Sequence, residues 1–344
     1  MDAIVYAGGI LKNASGLPAN ADWLLDHSCL EVLAGALAAV ARCTAAAREE
    51  EWTGPSAKQA AQLAVQLVGC LRNLCLSSGQ LPLVAASGVL ASMMAAAPRL
   101  VKLKELCWNT ARVLAKATLN DACRASVNAS PGSLKCILRM LEVHREAPEV
   151  VLRLCFSLGN LTATNDGNRA ALVLDLVALP ALFAVIDTYC GRLAMGGDGD
   201  TPPASVLVNA VRVVANLAMS AEVGPAILEF GDGVVNLVSL VETVDVHAEE
   251  ELMLNVVAAV TNISFYQTAS GDDALHGNRL ALVNTFTKLL HHRNPEAVHE
   301  SVRALGNFSR DDDVRHALVG NGAVSALVAL LRSPDTDPDT CFGA

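Results

Sequence analysis

The sequence predicts an all-α solenoid, that is, a stack of similar helical units. Three observations lead to this fold class. The chain of 344 residues repeats a short, mainly apolar motif about every 44 residues, shows no convincing strand-type alternation, and is 52% hydrophobic but only 17% charged. Stacked units bury their apolar faces against one another, and periods of roughly 20–50 residues are typical of such architectures.

The repeat is marked by an Asn or Lys near the end of a helical stretch, as in Leu158-Gly159-Asn160-Leu161. We call the marked residues the ladder; they stand at positions 13, 73, 116, 160, 216, 262 and 307, with spacings of 60, 43, 44, 56, 46 and 45. The two long intervals predict loop insertions near residues 48–57 and 191–205, where Gly, Pro and charged residues interrupt the apolar pattern.

Each repeat follows one order of elements. A polar stretch after the ladder residue leads to a short apolar helix, a Gly or Pro break, a second apolar helix, and a longer third helix that carries the next ladder residue. Gly320-Asn321-Gly322, Gly231-Asp232-Gly233 and Pro180 are such breaks. We predict a single domain over residues 1–344, with units at 1–18 (partial), 19–78, 79–120, 121–165, 166–220, 221–266, 267–311 and 312–341 (partial).

Composition and charge exclude several classes of function. The formal net charge of −10 argues against a broad nucleic-acid-binding surface, because phosphate neutralisation needs clustered basic residues. No apolar run reaches the roughly 20 residues of a spanning helix, so we expect no membrane insertion. The ten cysteines include no C-x-x-C pair, which favours buried free thiols in a reducing, cytoplasmic location over disulfides or zinc ligands.

Common catalytic motifs are absent from the chain. We find no P-loop, no dinucleotide-binding glycine motif and no H-E-x-x-H. His291, His292 and His299 flank a turn, and the three tryptophans are too scattered for a stacking platform. We therefore expect no enzyme activity, no cofactor, no metal and no small-molecule substrate.

The order of elements resembles the armadillo repeat over essentially the whole chain. The most specific stretches are Ser157–Val173 and Glu296–Leu331, where a third helix runs into the first two helices of the next unit. The resemblance implies a right-handed solenoid of about six three-helix repeats plus partial units at both ends. Because both ends fall inside a repeat, we expect the chain to be a fragment of a longer protein.

The third helices offer a candidate binding groove. In armadillo proteins this helix lines a concave groove, and the resemblance implies that the ladder Asn hydrogen-bonds the backbone of an extended peptide. Residues four and seven positions earlier lie on the same helical face. A purely structural role for the ladder fits the pattern equally well. The candidate groove residues are Asn73, Asn160, Asn216, Asn262, Asn307, Arg112, Lys116, Arg212, Arg303, Asn109, Asn209 and Asn255.

The chemistry of this groove predicts the class of partner. Nuclear-import armadillo receptors have Trp four residues before the ladder position, whereas this chain has none there. Arg112, Arg212 and Arg303, with Lys116, instead place positive charge in the groove, which suits an extended or helical protein segment with acidic residues. The alternative is that these arginines are solvated or paired within the chain.

These features together predict a non-enzymatic protein-interaction scaffold or cargo adaptor. The residues around Leu158–Asp166 resemble a ciliary member of the armadillo family, which implies a role in assembling motile cilia or flagella. A catenin-like cytoskeletal or junctional binder is an alternative, and so is a regulatory helical module of a ligase or kinase complex.

Overall fold

The computed structural model describes residues 2–46, 55–75, 78–196, 200–244, 248–267, 273–332 and 340. Every secondary-structure element in this part of the chain is a helix, which confirms the all-α prediction. The chain divides into two compact units, Met1–Thr164 and Asn165–Ala344. The division falls within one residue of the predicted boundary between the repeats 121–165 and 166–220.

The first unit contains one single helix and three helix triplets. The single helix is α1 (Asp2–Ala14). The triplets are α2 (Pro18–Asp26), α3 (Cys29–Ala46) and α4 (Pro55–Leu74); α5 (Leu81–Ala86), α6 (Val89–Ala96) and α7 (Lys104–Ala117); and α8 (Asp121–Ala129), α9 (Ser133–Val143) and α10 (Pro148–Thr162). The helices α1, α4, α7 and α10 pack in succession, so α1 occupies the place of a third helix.

The second unit continues the same arrangement. It contains α11 (Asp166–Ala170), which runs on as a π-helical turn over Ala171–Asp175, then α12 (Leu179–Ala194) and α13 (Pro203–Ala218). There follow α14 (Gly224–Leu228), α15 (Gly231–Thr243), α16 (Glu250–Ser264), α17 (Ala274–Leu289), α18 (Pro295–Phe308), α19 (Asp312–Gly320) and α20 (Ala323–Arg332). The third helices here are α13, α16 and α18, and each packs on the next.

In most repeats, one residue with positive φ makes the corner between the first and second helices. The corner residues are Ser28, Gly88, Gly132, Val177 and Gly322, with φ of 57°, 72°, 75°, 51° and 87°. Glycine suits this conformation because it has no Cβ. The predicted breaks at Gly231 and Pro180 lie differently, since Gly231 begins α15 and Pro180 stands in the first turn of α12. Proline is tolerated there because its missing N–H would have no partner in the helix.

The repeat 267–311 departs from the predicted three helices. Its described residues form only two helices, because the single 16-residue helix α17 precedes the third helix α18. The sequence of α17 contains no proline, and its Gly277 stays helical, so no corner forms.

Among the described residues, part of each predicted insertion is helical. The helices α3 and α12 have 18 and 16 residues, whereas the equivalent helix α6 has 8. Part of each extra length is therefore an extended second helix. Residues 191–194 and 203–205 of the second predicted insertion are helical, and residues 47–54 and 197–199 lie outside the described residues.

The interior consists largely of Leu, Val, Ala and Cys side chains. Seven of the nine described cysteines are buried, which confirms their role as core residues; Cys341 lies outside the described residues. Among the described helices, none alone is both long and apolar enough to cross a bilayer, although three sharply bent pairs reach that limit by length and composition. The same residues contain no group of three or more His, Cys, Asp or Glu placed to hold a metal ion.

Candidate functional site: the third-helix groove

The ladder asparagines of the first unit tie successive third helices together. The Nδ2 atom of Asn73 donates to the carbonyl oxygen of Lys12 at 3.0 Å and to Oγ of Ser15 at 3.1 Å. Asn160 Nδ2 donates to Oγ1 of Thr118 at 3.1 Å. Each amide thus satisfies an acceptor at the C-terminal end of the preceding third helix, where carbonyl groups lack helical partners.

The second unit repeats this bonding. Asn262 Nδ2 donates to the carbonyl oxygen of Ala215 at 3.1 Å. Asn307 Nδ2 donates to the carbonyl oxygen of Thr261 and to Oγ of Ser264, both at 3.0 Å. The structural role that the sequence left open for the ladder is therefore present. All five ladder asparagines from Asn73 onward remain partly exposed, and their role in binding a partner stays a prediction.

Sequence reasoning missed the other half of the ladder. The acceptors include a hydroxyl two residues after the preceding ladder position: Ser15, Thr118 and Ser264. Where that position is Ala218, Asn262 uses only a backbone carbonyl. Where it is Cys75, the next ladder residue is Lys116 instead of Asn. The co-occurrence of hydroxyl and Asn in successive repeats was the signal that would have revealed this pairing.

A cleft of about 280 Å³ opens on the third helices of the first unit. We call it the arginine cleft; its lining residues are Arg72, Cys75, Arg112, Ala115, Lys116, Leu119, Arg153 and Phe156. Of the predicted groove residues, it brings together Arg112 and Lys116. Arg72 and Arg153 come from α4 and α10 and were not singled out as groove cations, because each lies outside the position four residues before the ladder.

The indole of Trp108 holds two of these arginines. The guanidinium carbons of Arg72 and Arg112 lie 5.4 Å and 4.7 Å from the centre of the Trp108 ring, within the range of a cation–π interaction. Arg72 also donates to Oδ1 of Asn109 at 2.8 Å and to Oδ1 of Asn73 at 2.9 Å.

The structure corrects the prediction that Asn109 is an exposed groove residue. It is only 1% exposed, so its side chain does not face a partner. Its position seven residues before the ladder turns toward the neighbouring helix α4, and its carbonyl oxygen orients Arg72. Asn109 therefore positions a groove residue without belonging to the exposed surface.

The arginine cleft concentrates positive charge. Burial lowers the pKa of Arg72 and of Arg153, and the nearby charge of Arg112 lowers both further. A guanidinium nevertheless remains charged at neutral pH. Among the described residues, no carboxylate lies within ion-pair distance of these three arginines or of Lys116.

A larger cleft of about 810 Å³ opens on the third helices of the second unit. It brings together the predicted residues Arg212, Asn216, Asn255, Asn262, Arg303 and Asn307. It also contains Phe265 and Met219, each 56% exposed, which the sequence did not single out. Arg310 lies against the Phe265 ring at 5.2 Å and donates to the Phe265 carbonyl oxygen at 2.9 Å.

The arginines of this second cleft have acidic neighbours. Arg303 Nη1 donates to both carboxylate oxygens of Glu300, at 2.7 and 2.9 Å, and Arg303 Nη2 donates to Oδ1 of Asn262 at 3.2 Å. The intramolecular alternative left open by the sequence thus holds for Arg303. Burial lowers the pKa of Arg212, and the charge of Glu251 opposes that shift.

Asn209 and Asn255 make local hydrogen bonds. Each donates to the carbonyl oxygen four residues earlier in its own helix, Asn209 to Ser205 at 2.9 Å and Asn255 to Glu251 at 2.8 Å. Both residues are partly exposed at the predicted groove positions.

Solved structures with the same architecture identify the fold. A chain from a structure reported for the interaction between cadherin and β-catenin aligns with a TM-score of 0.66 at 17% identity, covering 89% of this chain and 56% of that one. A designed armadillo repeat protein aligns with a TM-score of 0.55 at 22% identity, covering 72% and 96%. Another, in complex with the peptide (KR)4, aligns with a TM-score of 0.53 at 20% identity, covering 72% and 95%. The fold is therefore an armadillo solenoid.

Over its whole length the chain is also similar in sequence to armadillo-repeat proteins. It is similar to Armadillo repeat-containing protein 2 of Bos taurus (27% identity over 355 residues) and of Mus musculus (27% over 350), and each match covers the whole chain. The human protein of that name is 26% identical over 358 residues. The chain spans about 40% of the length of these relatives. No family model matches it.

Proposed function

We propose that this chain is a non-enzymatic scaffold or cargo adaptor that binds an acidic protein segment, extended or helical, along its third helices. The arginine cleft is the observation that carries the proposal. Three successive third helices, α4, α7 and α10, direct cations into one cleft, and no described carboxylate pairs with them. Complementary charge of this kind favours encounter with an acidic partner and fixes its register.

The ladder supports the same surface in a second way. Because the amide nitrogens of Asn73, Asn262 and Asn307 already bond the preceding helix, the ladder holds neighbouring third helices at a fixed spacing. A groove whose walls are fixed before binding loses less entropy when a partner docks.

We further propose that the protein works in the cytoplasm and in the assembly of motile cilia or flagella. This part rests on the similarity to Armadillo repeat-containing protein 2 along the whole chain. Tagged protein in multiciliated cells should concentrate in the cytoplasm and at cilia, and disruption of the gene should impair ciliary assembly. Normal, motile cilia after disruption would refute the ciliary role.

A catenin-like cytoskeletal or junctional binder is the second candidate. The alignment with the structure reported for cadherin and β-catenin, at a TM-score of 0.66 over 89% of this chain, favours it. The two candidates share the groove and the acidic partner, and they differ in where the protein acts. Localisation to cell junctions instead of cilia would select the second.

Fluorescence anisotropy with defined peptides tests the binding proposal. A labelled peptide of alternating Glu and Ser should bind the chain, whereas the same peptide with Lys for Glu should not. Affinity should fall as salt rises, because the contacts are charged. The double variant Arg112→Glu/Lys116→Glu should weaken binding by roughly tenfold or more, the cost of losing and reversing charge-assisted hydrogen bonds.

Lys135→Glu/Arg139→Glu is the matched control. Both residues are exposed on α9, a second helix, and their replacement makes the same charge change away from the arginine cleft. Acidic-peptide binding that both variants weaken equally would reflect net charge alone and would contradict the proposed groove.

A further inference from the structure

The charges around the arginine cleft do not balance, although the chain as a whole is acidic. The carboxylates whose charges act on Arg72 and Arg153 are those of Glu105 and Glu149. Glu105 lies 3.7 Å from Nζ of Lys12, and Glu149 lies 2.9 Å from Nζ of Lys104. Each acid is therefore engaged by a lysine outside the cleft.

The cationic side chains of the cleft are already oriented by the chain. Asn109 and Asn73 accept hydrogen bonds from Arg72, and Trp108 packs against Arg72 and Arg112. Arg153 donates through Nη1 to the carbonyl oxygen of Glu149 at 2.6 Å. Holding like charges together costs free energy, and the lowered pKa of Arg72 and of Arg153 records that repulsion together with their burial.

We infer that the arginine cleft binds a phosphorylated serine or threonine side chain of the bound protein segment. This inference rests on the proposed function and specifies the chemistry of one position in the partner. The site consists of Arg72, Arg112, Arg153 and Lys116.

Phosphate matches this site better than a carboxylate does. A phosphoserine carries a charge of about −1.5 to −2 at pH 7 and three acceptor oxygens, whereas a glutamate carries one charge and two oxygens. Guanidinium groups bind phosphate oxygens with two parallel hydrogen bonds, and α4, α7 and α10 each contribute one guanidinium to the lining of the cleft. One carboxylate would leave most of the four cations without an anion.

Three peptides that differ at one position test the inference. An extended peptide of Glu, Ser and Gly carries phosphoserine, glutamate or serine at its centre, and its binding to the whole chain is measured by anisotropy. We expect the phosphoserine peptide to bind about tenfold more tightly than the glutamate peptide, as one further charge-assisted hydrogen bond of roughly 1.5 kcal/mol requires. Arg112→Gln and Arg153→Gln should each reduce that preference to within about twofold.

Arg139→Gln is the matched control, because Arg139 is exposed on the second helix α9, away from the third helices. It should leave the preference for phosphoserine unchanged. Arg153→Lys keeps the charge, loses the two-pronged geometry and should retain part of the preference. Unchanged circular dichroism identifies the variants that remain folded.

Fluorescence reports the location of the phosphate. In a Trp23→Phe/Trp52→Phe background, Trp108 is the one remaining tryptophan of the chain. The phosphoserine peptide should change its emission, and the serine peptide should not. Emission that stays constant while the phosphoserine peptide binds would overturn the inference.

The other outcomes separate the two proposals. Equal affinity for phosphoserine and glutamate peptides overturns the phosphate site and leaves the acidic groove intact. Absence of binding by every acidic peptide overturns the proposed groove itself. Inorganic phosphate that competes at the same concentration as the phosphopeptide would show a small-anion site and would also overturn the inference.

Discussion

Replacing Asn307 by Ala tests the structural role of the ladder. The substitution removes two hydrogen bonds, to the carbonyl oxygen of Thr261 and to Oγ of Ser264. Each is worth about 0.5–1.5 kcal/mol net, and alanine returns about 0.7 kcal/mol of helix propensity. The Ser264 hydroxyl still donates to the Thr261 carbonyl at 2.8 Å, so that carbonyl keeps a partner. The expected loss in the free energy of unfolding is therefore about 1–2 kcal/mol.

Thermal unfolding with a matched control measures this loss. A loss of this size should lower Tm by roughly 2–8 °C. Asn13→Ala is the control, because Asn13 holds the first ladder position but is exposed, and its side chain makes no hydrogen bond with the described residues. Hydrogen exchange should quicken in α16 and α18 of the Asn307 variant. Equal Tm values for the two variants would show that the ladder bonds do not stabilise the stack.

The structure predicts how substitutions at Gly233 and Cys155 change stability. Gly233→Ala would place a Cβ 2.5 Å from Cγ of the buried Phe183, and overpacking of this kind costs about 1–3 kcal/mol in the free energy of unfolding. Gly231→Ala, in the same helix, meets no atom within 4 Å and should leave urea unfolding unchanged. Burial raises the pKa of Cys155 from 9.0 to about 12. The thiol ionises at a lower pH in the unfolded chain than in the folded chain. The free energy of unfolding should therefore be unaffected by this thiol below pH 9 and should fall between about pH 9 and 12. Cys155→Ala should reduce the accompanying fall in Tm. A pH profile identical in the Cys155 variant would contradict this account.

The fold could be predicted from the sequence because structural repeats produce a periodic sequence pattern. The ladder positions sit near the ends of third helices, and most first-to-second corners are glycines that can adopt positive φ. Two corners, at Ser28 and Val177, use residues that carry no such signal. The uninterrupted α17 differs from the predicted three-helix repeat, because its residues form one continuous helix in which Gly277 makes no corner.

The sequence predicted only part of the groove. Counting residues along one helix shows which side chains share a face, but it does not show which side chains of the neighbouring helix they contact. Arg112 and Lys116 were identified by their register on α7. Arg72 on α4 contacts Trp108 and donates a hydrogen bond to Asn109, both on α7. Because these two interactions join different helices, the periodicity of a single helix does not predict them. The same limit explains why Asn109 was assigned to the surface.

The interruption of the ladder coincides with the arginine cleft, and this connects stability with binding. Where Cys75 replaces the acceptor hydroxyl, the next ladder residue is Lys116, and both residues line the cleft. Among the described residues, no ladder bond joins α4 and α7 at the place where the cleft gains a cation; the hydrogen bond from Arg72 to Asn109 joins these helices instead. Cys75→Ser/Lys116→Asn should restore the missing bond, raise the free energy of unfolding by about 1 kcal/mol, and weaken binding of acidic peptides. If the double variant were more stable and bound acidic peptides equally well, Lys116 would be dispensable for binding, and the exchange of stability for charge would be excluded.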